Sequence, residues 1–398
     1  MRNTININDD IYWIGVNDRK TNLFENLWPI PKGVAYNSYI IKDEKIALID
    51  TVDRSFMDDF IDNVDEISEG RDIDYLVINH MEPDHSGSIK AIIAKYPNIQ
   101  IIGNKKTFPM LERFYGIKEN IIEVKDGDTI DLGKHKLNFA LIPMVHWPET
   151  MVTYESTTKT LFSGDAFGAF GTLDGGIFDY EVDLNWLEEE ISRYYSNIVG
   201  KYGSPVQAAL RKLEALDIKM ICATHGPIWK EFIPQIIEKY KKWSTYSTEK
   251  GVVIAFASIY GHNEKLADFI ARELVKNGIK NVKIFDVSKT HLSYIIDAIF
   301  KYRGVILGSS TYNGGMFPNM ASLLHELKSL SLKNHAISTF GSHAWAGTSV
   351  KLLNKFAEES KWDIIAESCD VKCNPHDAEY EKCEIIAKEM AKHLKEID

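Results

Sequence analysis

The sequence predicts a two-domain α/β protein, in which a layered N-terminal domain precedes a doubly wound parallel sheet. The chain has 398 residues, which is more than one ordinary hydrophobic core holds. From about Lys250 onward, short β-branched runs alternate with amphipathic stretches, as is typical of βαβ units. The preceding part mixes meander-like strands with helices, which indicates an α+β or layered α/β domain. We therefore assign residues 1–249 to the first domain and residues 250–398 to the second.

Composition excludes several classes of protein. With 46 basic and 57 acidic side chains the net charge is −11, and an acidic chain repels phosphate backbones, so no nucleic-acid partner is expected. No apolar run approaches the ~20 residues of a membrane span, and the N-terminus lacks the apolar core of a secretory signal. The four cysteines form no CxxC pair, which excludes a built-in rubredoxin-type or zinc-ribbon module. We expect a cytoplasmic protein with no membrane partner.

The first domain is predicted to open with a meander of strands. These strands are Tyr12–Val16, Val34–Ile41 and Lys45–Asp50. A His or Asp follows each of four further apolar runs within four residues. The four runs end at Asn79, Ile142, Ser163 and Ala223. Helical stretches are expected near residues 54–67, 86–96, 183–198 and 206–215.

The densest group of metal-capable side chains follows the run that ends at Asn79. Four such residues lie within six positions, in the segment His80-Met-Glu82-Pro-Asp84-His85. Pro83 prevents a regular helix face, so a tight loop at the strand end can turn all four side chains toward one point. Candidate partners follow three other runs, and they are His146, Asp165 and His225. Ligands at the ends of neighbouring strands converge on one edge of a sheet.

The second domain is predicted to contain five βα units, after a linker at Lys242–Lys250. Its strands are Val252–Ala257, Val282–Val287, Val305–Ser309, Ala336–Phe340 and Trp362–Ser368. Its helices are expected near residues 263–277, 293–302, 319–331, 348–360 and 377–396. The first strand is a continuous apolar run, as expected of a strand buried on both faces of a parallel sheet.

The first strand-to-helix turn of this domain has the features of an anion cradle. It carries hydroxyl and amide side chains and a Gly, and it leads into a helix whose N-terminal N–H groups attract a phosphate. Because GxxxxGK[ST] and GxGxxG are both missing, a monophosphate fits better than a triphosphate or a dinucleotide. The candidate residues are Ser258, Ile259, Tyr260, Gly261, His262 and Asn263.

Two further loops follow the third and fourth predicted strands. Both combine small residues with an aromatic side chain at the carboxyl edge of the sheet, where such sheets bind ligands. Glycines allow the backbone to approach a flat ring, which Tyr312, His343 or Trp345 can flank. The candidate residues are Ser310, Thr311, Tyr312, Asn313, Gly314, Ser342, His343, Ala344, Trp345 and Gly347.

The three loops together resemble those of flavodoxins, which implies FMN as the ligand. The order of the candidate metal ligands resembles the metallo-β-lactamase superfamily, whose HxHxDH signature precedes a distant His, a bridging Asp and a last His. Glu82 replaces the second His of that signature, and a carboxylate-rich set suits iron. Both halves together resemble the flavodiiron proteins (A-type flavoproteins), which carry HxExDH here. This resemblance implies a metallo-β-lactamase-like αββα sandwich followed by a flavodoxin-like five-stranded parallel sheet.

The resemblance also implies roles for the candidate ligands. One iron would be held by His80, Glu82 and His146. The other would be held by Asp84 and His225. Asp165 would bridge them, whereas His85 is a ligand in some members and turned away in others.

The chain departs from the family near the metal pocket. Many members have a His-Gly pair after an early Phe, but this chain reads Phe24-Glu25-Asn26-Leu27-Trp28. Tyr194 or Tyr195 could line the same pocket, and we select Tyr195, together with His85, as the candidate catalytic residues.

The implied activity is that of an oxidoreductase. FMN would pass electrons from a donor to a diiron site, which would reduce dioxygen to water, nitric oxide to nitrous oxide, or both. A separate donor is expected, either rubredoxin or a reduced deazaflavin. The implied assembly is a head-to-tail homodimer or a dimer of such dimers, with the FMN of one subunit against the diiron site of the other.

Two other hypotheses about the function account for fewer features of the sequence. A zinc-dependent hydrolase of the lactamase or glyoxalase II type accounts for the ligand set but leaves the second domain without a role. A flavodoxin-like carrier with a degenerate metal domain conflicts with the complete ligand set.

Overall fold

The computed structural model describes residues 3–396, apart from the side chains of Leu184 and Trp186. The chain folds into two compact units, the first ending at Thr245 and the second beginning at Tyr246. No helix within residues 3–396 is long and apolar enough to cross a membrane.

The first unit contains sixteen strands and seven α-helices within its described residues. The strands are β1 (Ile5–Asn8), β2 (Ile11–Trp13), β3 (Val16–Asp18), β4 (Leu23–Phe24), β5 (Trp28–Pro29), β6 (Val34–Tyr36), β7 (Tyr39–Lys42), β8 (Ile46–Ile49), β9 (Tyr75–Val77), β10 (Gln100–Gly103), β11 (Ile121–Glu123), β12 (Thr129–Asp131), β13 (Lys136–Leu141), β14 (Met151–Glu155), β15 (Thr160–Gly164) and β16 (Met220–Ala223). The helices are α1 (Met57–Ser68), α2 (Pro83–Ser86), α3 (Ile89–Lys95), α4 (Thr107–Tyr115), α5 (Leu184–Tyr194), α6 (Gly203–Leu213) and α7 (Ile233–Ser244).

Two sheets face each other across the core of this unit. One has the order β1-β2-β7-β8-β9-β10-β11, and the other has the order β12-β13-β14-β15-β16. Buried side chains of both sheets share one core, among them Ile49 and Val77 from the first and Phe139 and Phe162 from the second. The helices cover the sheets because they are amphipathic, as in α1, where Phe60, Val64 and Ile67 recur at helical spacing and are buried. The predicted αββα sandwich is confirmed.

Two predicted strands of this unit are each divided in the structure. The segment 12–16 contributes to β2 and β3, and the segment 34–41 forms β6 and β7. The division arises because β2 pairs with β7 in the large sheet, whereas β3 pairs with β6 in a separate two-stranded ladder. Ile14 N donates to Ser38 O at 2.9 Å where the chain passes from one ladder to the other.

The second unit is a doubly wound sheet with helices between its strands. The strands are β17 (Glu249–Ala257), β18 (Val282–Asp286), β19 (Tyr302–Tyr312), β20 (Gly315–Met316), β21 (Ala336–His343), β22 (Asp363–Ile364) and β23 (Cys369–Lys372). The helices are α8 (His262–Lys276), α9 (Leu292–Lys301), α10 (Pro318–Leu330), α11 (Ser349–Ser360) and α12 (Asp377–Glu396). The main strands are parallel in the order β18-β17-β19-β21-β22, which confirms the predicted flavodoxin-like sheet.

The fifth strand differs from its prediction at 362–368. It is divided into β22 and β23, and both pair in parallel with β21. Between them, Ser368 Oγ accepts hydrogen bonds from Thr339 Oγ1 at 2.9 Å and Asn354 Nδ2 at 2.8 Å. Side-chain hydrogen bonds thus replace the backbone ladder at this point. The predicted linker at Lys242–Lys250 is also shorter, because α7 extends to Ser244 and β17 begins at Glu249.

Candidate functional site

Four buried side chains of the first unit direct ligand atoms toward one another. His80 Nε2 lies 3.2 Å from Glu82 Oε2, and His146 Nε2 lies 3.1 Å from the same oxygen. Asp165 Oδ2 is 3.0 Å from His146 Nε2 and 3.7 Å from His80 Nε2. We name these four residues cluster A.

A second group lies against the other oxygen of Asp165. His85 Nε2 and His225 Nε2 are each 3.3 Å from Asp84 Oδ2. Asp165 Oδ1 is 2.8 Å from His85 Nε2 and 3.9 Å from His225 Nε2. We name Asp84, His85 and His225 cluster B. Asp165 therefore faces one cluster with each carboxylate oxygen, as a residue that bridges two metal ions does.

The loop after β9 contributes side chains to both clusters. Asp50 holds the start of this loop, accepting hydrogen bonds from Asn79 N at 2.7 Å and Asn79 Nδ2 at 3.0 Å. Pro83 then begins the short helix α2, whose single turn carries Asp84 and His85. Proline suits the first position of a helix because its missing N–H would be unpaired there.

The remaining residues of the two clusters follow the ends of strands. Asp165 comes directly after β15, and His225 comes two residues after β16. These strands are parallel neighbours, so their carboxyl ends meet at the same edge of the sheet. His146 lies in the loop between β13 and β14. The convergence expected from the sequence is thus present in the structure.

Hydrogen bonds from outside the clusters orient two imidazoles. His80 Nδ1 donates to Glu149 Oε1 at 2.8 Å, which leaves Nε2 for cluster A. His225 Nδ1 donates to the carbonyl oxygen of Ala35 at 2.8 Å, which leaves Nε2 for cluster B. Thr224 Oγ1 donates to Asp165 Oδ1 at 2.7 Å. Glu149 was not predicted, because no motif marks it and only the fold brings it to His80.

The electrostatics of the clusters favour bound positive charge. Burial opposes a charged imidazole at His146, but hydrogen bonds with Asp165 and Glu82 raise its pKa to about 9. Burial likewise opposes charge on His85, but the charges of Asp84 and Asp165 raise its pKa to about 9. The pKa of Asp165 lies well below its usual range, because the surrounding imidazoles outweigh its burial. The Asp165 carboxylate therefore remains charged and attracts cations.

Several candidate ligand atoms have no hydrogen-bond partner. Both carboxylate oxygens of Asp84, both ring nitrogens of His85 and Nε2 of His225 are buried and unpaired. His85 Nε2 lies close to Asp165 but in an orientation that makes no hydrogen bond. Buried polar groups without partners are costly, and metal ions would supply the missing partners. A mixed set of imidazoles and carboxylates fits two iron ions.

Aromatic rings enclose cluster B. The ring centroid of His225 lies 5.4 Å from that of Phe24, 5.5 Å from that of Tyr194 and 5.8 Å from that of Tyr36. Phe170 packs behind them, 5.0 Å from Tyr194. The Tyr194 hydroxyl is buried and has no hydrogen-bond partner.

Tyr195, the predicted catalytic tyrosine, does not belong to this aromatic wall. Its ring packs against Tyr240 at 4.8 Å and against Trp243 at 4.9 Å. Successive residues of a helix point about 100° apart, so two adjacent tyrosines cannot both face cluster B. The tyrosine that faces cluster B is therefore Tyr194, the alternative that the sequence left open, and not Tyr195. A π-helical turn begins at Tyr195, and such turns are frequent at functional sites.

The hairpin β4–β5 places a further carboxyl beside cluster A. Glu25 and Asn26 form its turn in left-handed conformations, with φ values of 51° and 56°. Glu25 is exposed as a residue, but Trp28 Nε1 donates to its Oε2 at 3.0 Å. Burial of the carboxyl, followed by the charge of Glu82, raises the pKa of Glu25 to about 7. The segment that lacks the His-Gly pair thus places the carboxyl of Glu25 beside Glu82 of cluster A.

A cavity of about 420 Å³ lies at the carboxyl edge of the sheet in the second unit. All three predicted loops contribute to its lining. The predicted residues that line it are Ser258, Ile259, Tyr260, His262, Ser310, Thr311, Tyr312, Asn313, Gly314, Ser342, His343, Ala344 and Trp345. Its rim is open, with Tyr260 and Trp345 exposed at 86% and 89%. Ala346 and Cys373 also line the cavity and were not predicted. Cys373 was missed because it follows β23, and the fifth strand was predicted at 362–368 instead.

The other predicted residues of these loops shape the cavity without lining it. Gly261 precedes α8 with a φ of 84°, and Gly347 packs against His343. Asn263 Nδ2 donates to Ala257 O at 2.8 Å and to Ser310 Oγ at 3.2 Å. The buried Oγ of Ser258 has no hydrogen-bond partner near the start of α8. An unpaired hydroxyl at the N-terminus of a helix fits a phosphate.

Known families match both units. The family described as ODP family beta lactamase matches residues 34–226, and the Flavodoxin family matches residues 254–386. The anaerobic nitric oxide reductase flavorubredoxin of Vibrio vulnificus is 35% identical over 98% of this chain and 80% of its own length. Rubredoxin oxygen:oxidoreductase from Desulfovibrio gigas is 30% identical, with a TM-score of 0.95 over 98% of both chains. The flavodiiron protein of Giardia intestinalis is 25% identical, with a TM-score of 0.95 over 99% of this chain and 97% of its own. The chain belongs to the flavodiiron protein family.

Membership in the flavodiiron family confirms the resemblance drawn from HxExDH and the three loops. In this flavodiiron protein, Glu82 faces two imidazoles of cluster A, as a ligand in that position would. His85 turns its ring toward Asp84 and Asp165, so it lies with cluster B.

Proposed function

We propose that this flavodiiron protein is an oxidoreductase that passes electrons from a separate donor through FMN to two irons, and so reduces dioxygen to water, nitric oxide to nitrous oxide, or both. The observation that carries the proposal is Asp165, whose two oxygens face clusters A and B at 3.0 Å and 2.8 Å. A carboxylate shared by two buried clusters suits a pair of metal ions that act together on one small substrate.

Each cluster would hold one iron. Cluster A contributes two imidazoles and Glu82, cluster B contributes two imidazoles and Asp84, and Asp165 is common to both. We include His85 among the ligands because its Nε2 is 3.3 Å from Asp84 Oδ2 and makes no hydrogen bond. Three carboxylates among seven ligands favour iron over a softer metal.

When bound, the irons would hold and reduce the gas, and FMN would relay electrons to them singly or in pairs. The chain prepares cluster B for such a substrate. Phe24, Tyr36 and Tyr194 surround His225 with apolar rings, which exclude water and suit a small apolar molecule. The unpaired Tyr194 hydroxyl offers a proton donor in that wall.

The cavity of the second unit would hold FMN. The N–H groups at the start of α8, with the Ser258 hydroxyl, would bind the phosphate. The loops that carry Tyr312 and Trp345 would flank the ring. These loops lie at the carboxyl edge of the sheet, where doubly wound folds bind flavins.

The names of two relatives support the two gases, and one of these names supports rubredoxin as the donor. One relative is a rubredoxin oxygen:oxidoreductase, and another is an anaerobic nitric oxide reductase. We propose rubredoxin or a reduced deazaflavin as the donor. We also propose a head-to-tail homodimer, or a dimer of such dimers, in which the FMN of one subunit serves the irons of the other.

The decisive experiment combines composition with reactivity. The purified protein is expected to be yellow and to contain about one FMN and two irons per chain, as one cavity and two clusters require. After anaerobic reduction, mixing with dioxygen and with nitric oxide in parallel should reoxidise it, and the faster reaction identifies the preferred gas. Stoichiometric zinc without flavin would instead support a hydrolase and overturn the proposal.

A further inference from the structure

A His–carboxylate pair stands at the cavity of the second unit. His343 ends β21 and lines the cavity, and Asp370 lies on β23. Asp370 Oδ1 is 3.0 Å from His343 Nδ1. The parallel register sets Asp370 opposite Gly341, two residues before His343 and on the same face. Because Asp370 and His343 lie on the same face of neighbouring strands, the carboxylate reaches diagonally to the imidazole.

The surrounding backbone holds this pair in place. The carbonyl oxygen of His343 accepts a hydrogen bond from Cys373 N at 2.8 Å. A Cβ atom at Gly347 would lie 2.7 Å from Asp370 Oδ2 and 2.8 Å from His343 Nδ1, so the chain passes directly over the pair. A side chain at position 347 would therefore displace the pair, and the chain that passes over it restricts rotation of the imidazole.

The contact with Asp370 decides which ring nitrogen of His343 is available to a molecule bound in the cavity. A carboxylate only accepts hydrogen bonds, so His343 Nδ1 carries the proton and donates to Asp370 Oδ1. Nε2 is then left for the cavity, whose wall His343 forms beside Ala344 and Trp345. Asp370 is not among the cavity-lining residues of the described chain, so its influence on a bound molecule passes through His343.

We propose that Asp370 is a positioning residue that holds the His343 imidazole with Nε2 toward the isoalloxazine ring of bound FMN. This inference rests on the proposed function, since it requires FMN in the cavity. The polar edge of the flavin ring carries both N–H and C=O groups. An imidazole that is already held in one orientation hydrogen bonds to such an edge without losing rotational freedom on binding.

The affinity of the full-length holoprotein for FMN tests this role. Dilution releases FMN, and the recovery of flavin fluorescence gives the dissociation constant. His343→Phe and Asp370→Ala should each weaken binding about tenfold, as expected for one well-placed hydrogen bond. Asp370→Asn should keep an affinity near that of the wild type, because its amide oxygen still accepts from Nδ1. His376→Phe and Glu367→Ala, at exposed positions nearby, are the controls.

A double variant separates positioning from an independent effect. His343→Phe combined with Asp370→Ala should bind FMN no more weakly than His343→Phe alone, because Asp370 acts through the imidazole. The midpoint potential of the bound flavin should shift in the same direction in both single variants. Additive losses, or wild-type affinity in both single variants, would overturn the positioning role alone. A wild-type protein that binds no FMN would overturn the proposed function with it.

Discussion

The candidate metal clusters and the candidate flavin cavity are built in different ways. Every residue of clusters A and B is at most 9% exposed, and several are oriented by hydrogen bonds from neighbouring segments. The rim of the cavity includes Tyr260 and Trp345, which are 86% and 89% exposed. The clusters depend on the identity of individual side chains, whereas the cavity depends on the course of three loops. Single substitutions should therefore harm the metal site more than the flavin site.

Loss of the shared carboxylate should have the largest effect. Asp165→Ala removes a ligand from both clusters, and Glu82→Ala removes one from cluster A. Both variants should lose gas reduction by more than about a hundredfold and lose iron, since ligands matter at least as much as their outer partners. Iron analysis, turnover with each gas and the flavin spectrum measure this. The flavin spectrum should stay unchanged in both variants. The control is Asp58→Ala, which removes an exposed carboxylate on α1 and should keep the iron content, the turnover and the flavin spectrum of the wild type. Normal turnover in Asp165→Ala would refute the bridging role.

Buried histidines also differ between the two units. Those of the clusters have carboxylate neighbours, whereas His335 is buried with its Nδ1 unpaired, and burial lowers its pKa to about 4. Between about pH 6.5 and 4 the unfolded chain therefore binds a proton at His335 that the folded chain does not. The contribution of His335 to the free energy of unfolding should fall by roughly 3 kcal/mol as the pH drops from about 6.5 to 4 and should stay constant above that window.

Denaturant titrations at several pH values measure this contribution. His335→Leu should lose this part of the acid sensitivity, whereas His376→Leu, at an exposed position, should keep it. An equal acid-induced loss of stability in His335→Leu and wild type would show that other groups are responsible.

An outer partner of cluster A should matter less than a ligand. Glu149→Ala removes the acceptor of His80 Nδ1 and frees the imidazole to rotate. We expect iron affinity to fall by about 10- to 100-fold. Competition with a chelator measures this affinity, and Glu149→Gln should recover part of it by accepting the same hydrogen bond. Unchanged affinity in Glu149→Ala would mean that packing alone orients His80.

A backbone substitution should have a moderate effect on the cavity. Gly261 has a φ of 84°, and a β-branched residue there costs about 1–2 kcal/mol of strain. Gly261→Val should therefore weaken FMN binding by about tenfold and leave the iron content near normal. Gly70→Val is the matched control, because Gly70 has a φ of 81° and open space but lies far from the cavity in sequence. Equal loss of FMN from both variants would point to general destabilisation.

Heterodimers of a metal-site variant and a flavin-site variant should differ least from the wild type in turnover rate. In the proposed head-to-tail dimer, Asp165→Ala and Gly261→Val damage different halves of each composite site. Without added FMN neither variant should turn over well, whereas a heterodimer keeps one intact site and should show roughly half of the wild-type rate. Inactive mixtures that demonstrably contain heterodimers would place electron transfer within one chain.

The convergence of the candidate ligands could be predicted because their signal is local. Each follows an apolar run, and the ends of neighbouring strands must meet at one edge of a sheet. The same reasoning located the cavity from three loops. It failed at Trp362–Ser368, where hydrogen bonds of Ser368 with Thr339 and Asn354 interrupt the ladder. Such contacts join positions far apart in the chain and leave no periodic pattern.

Residue types and their spacing were thus sufficient to predict the two-part fold, the convergence of the metal-capable side chains and the cavity between three loops, because hydrophobic periodicity and strand ends are properties of short segments. Only the tertiary structure showed that Tyr194 rather than Tyr195 faces His225, because that choice depends on the rotation of a helix about its axis. The same holds for Glu149 beside His80 and for Asp370 beside His343. These partners come from different segments, and packing alone sets the distance between their side chains.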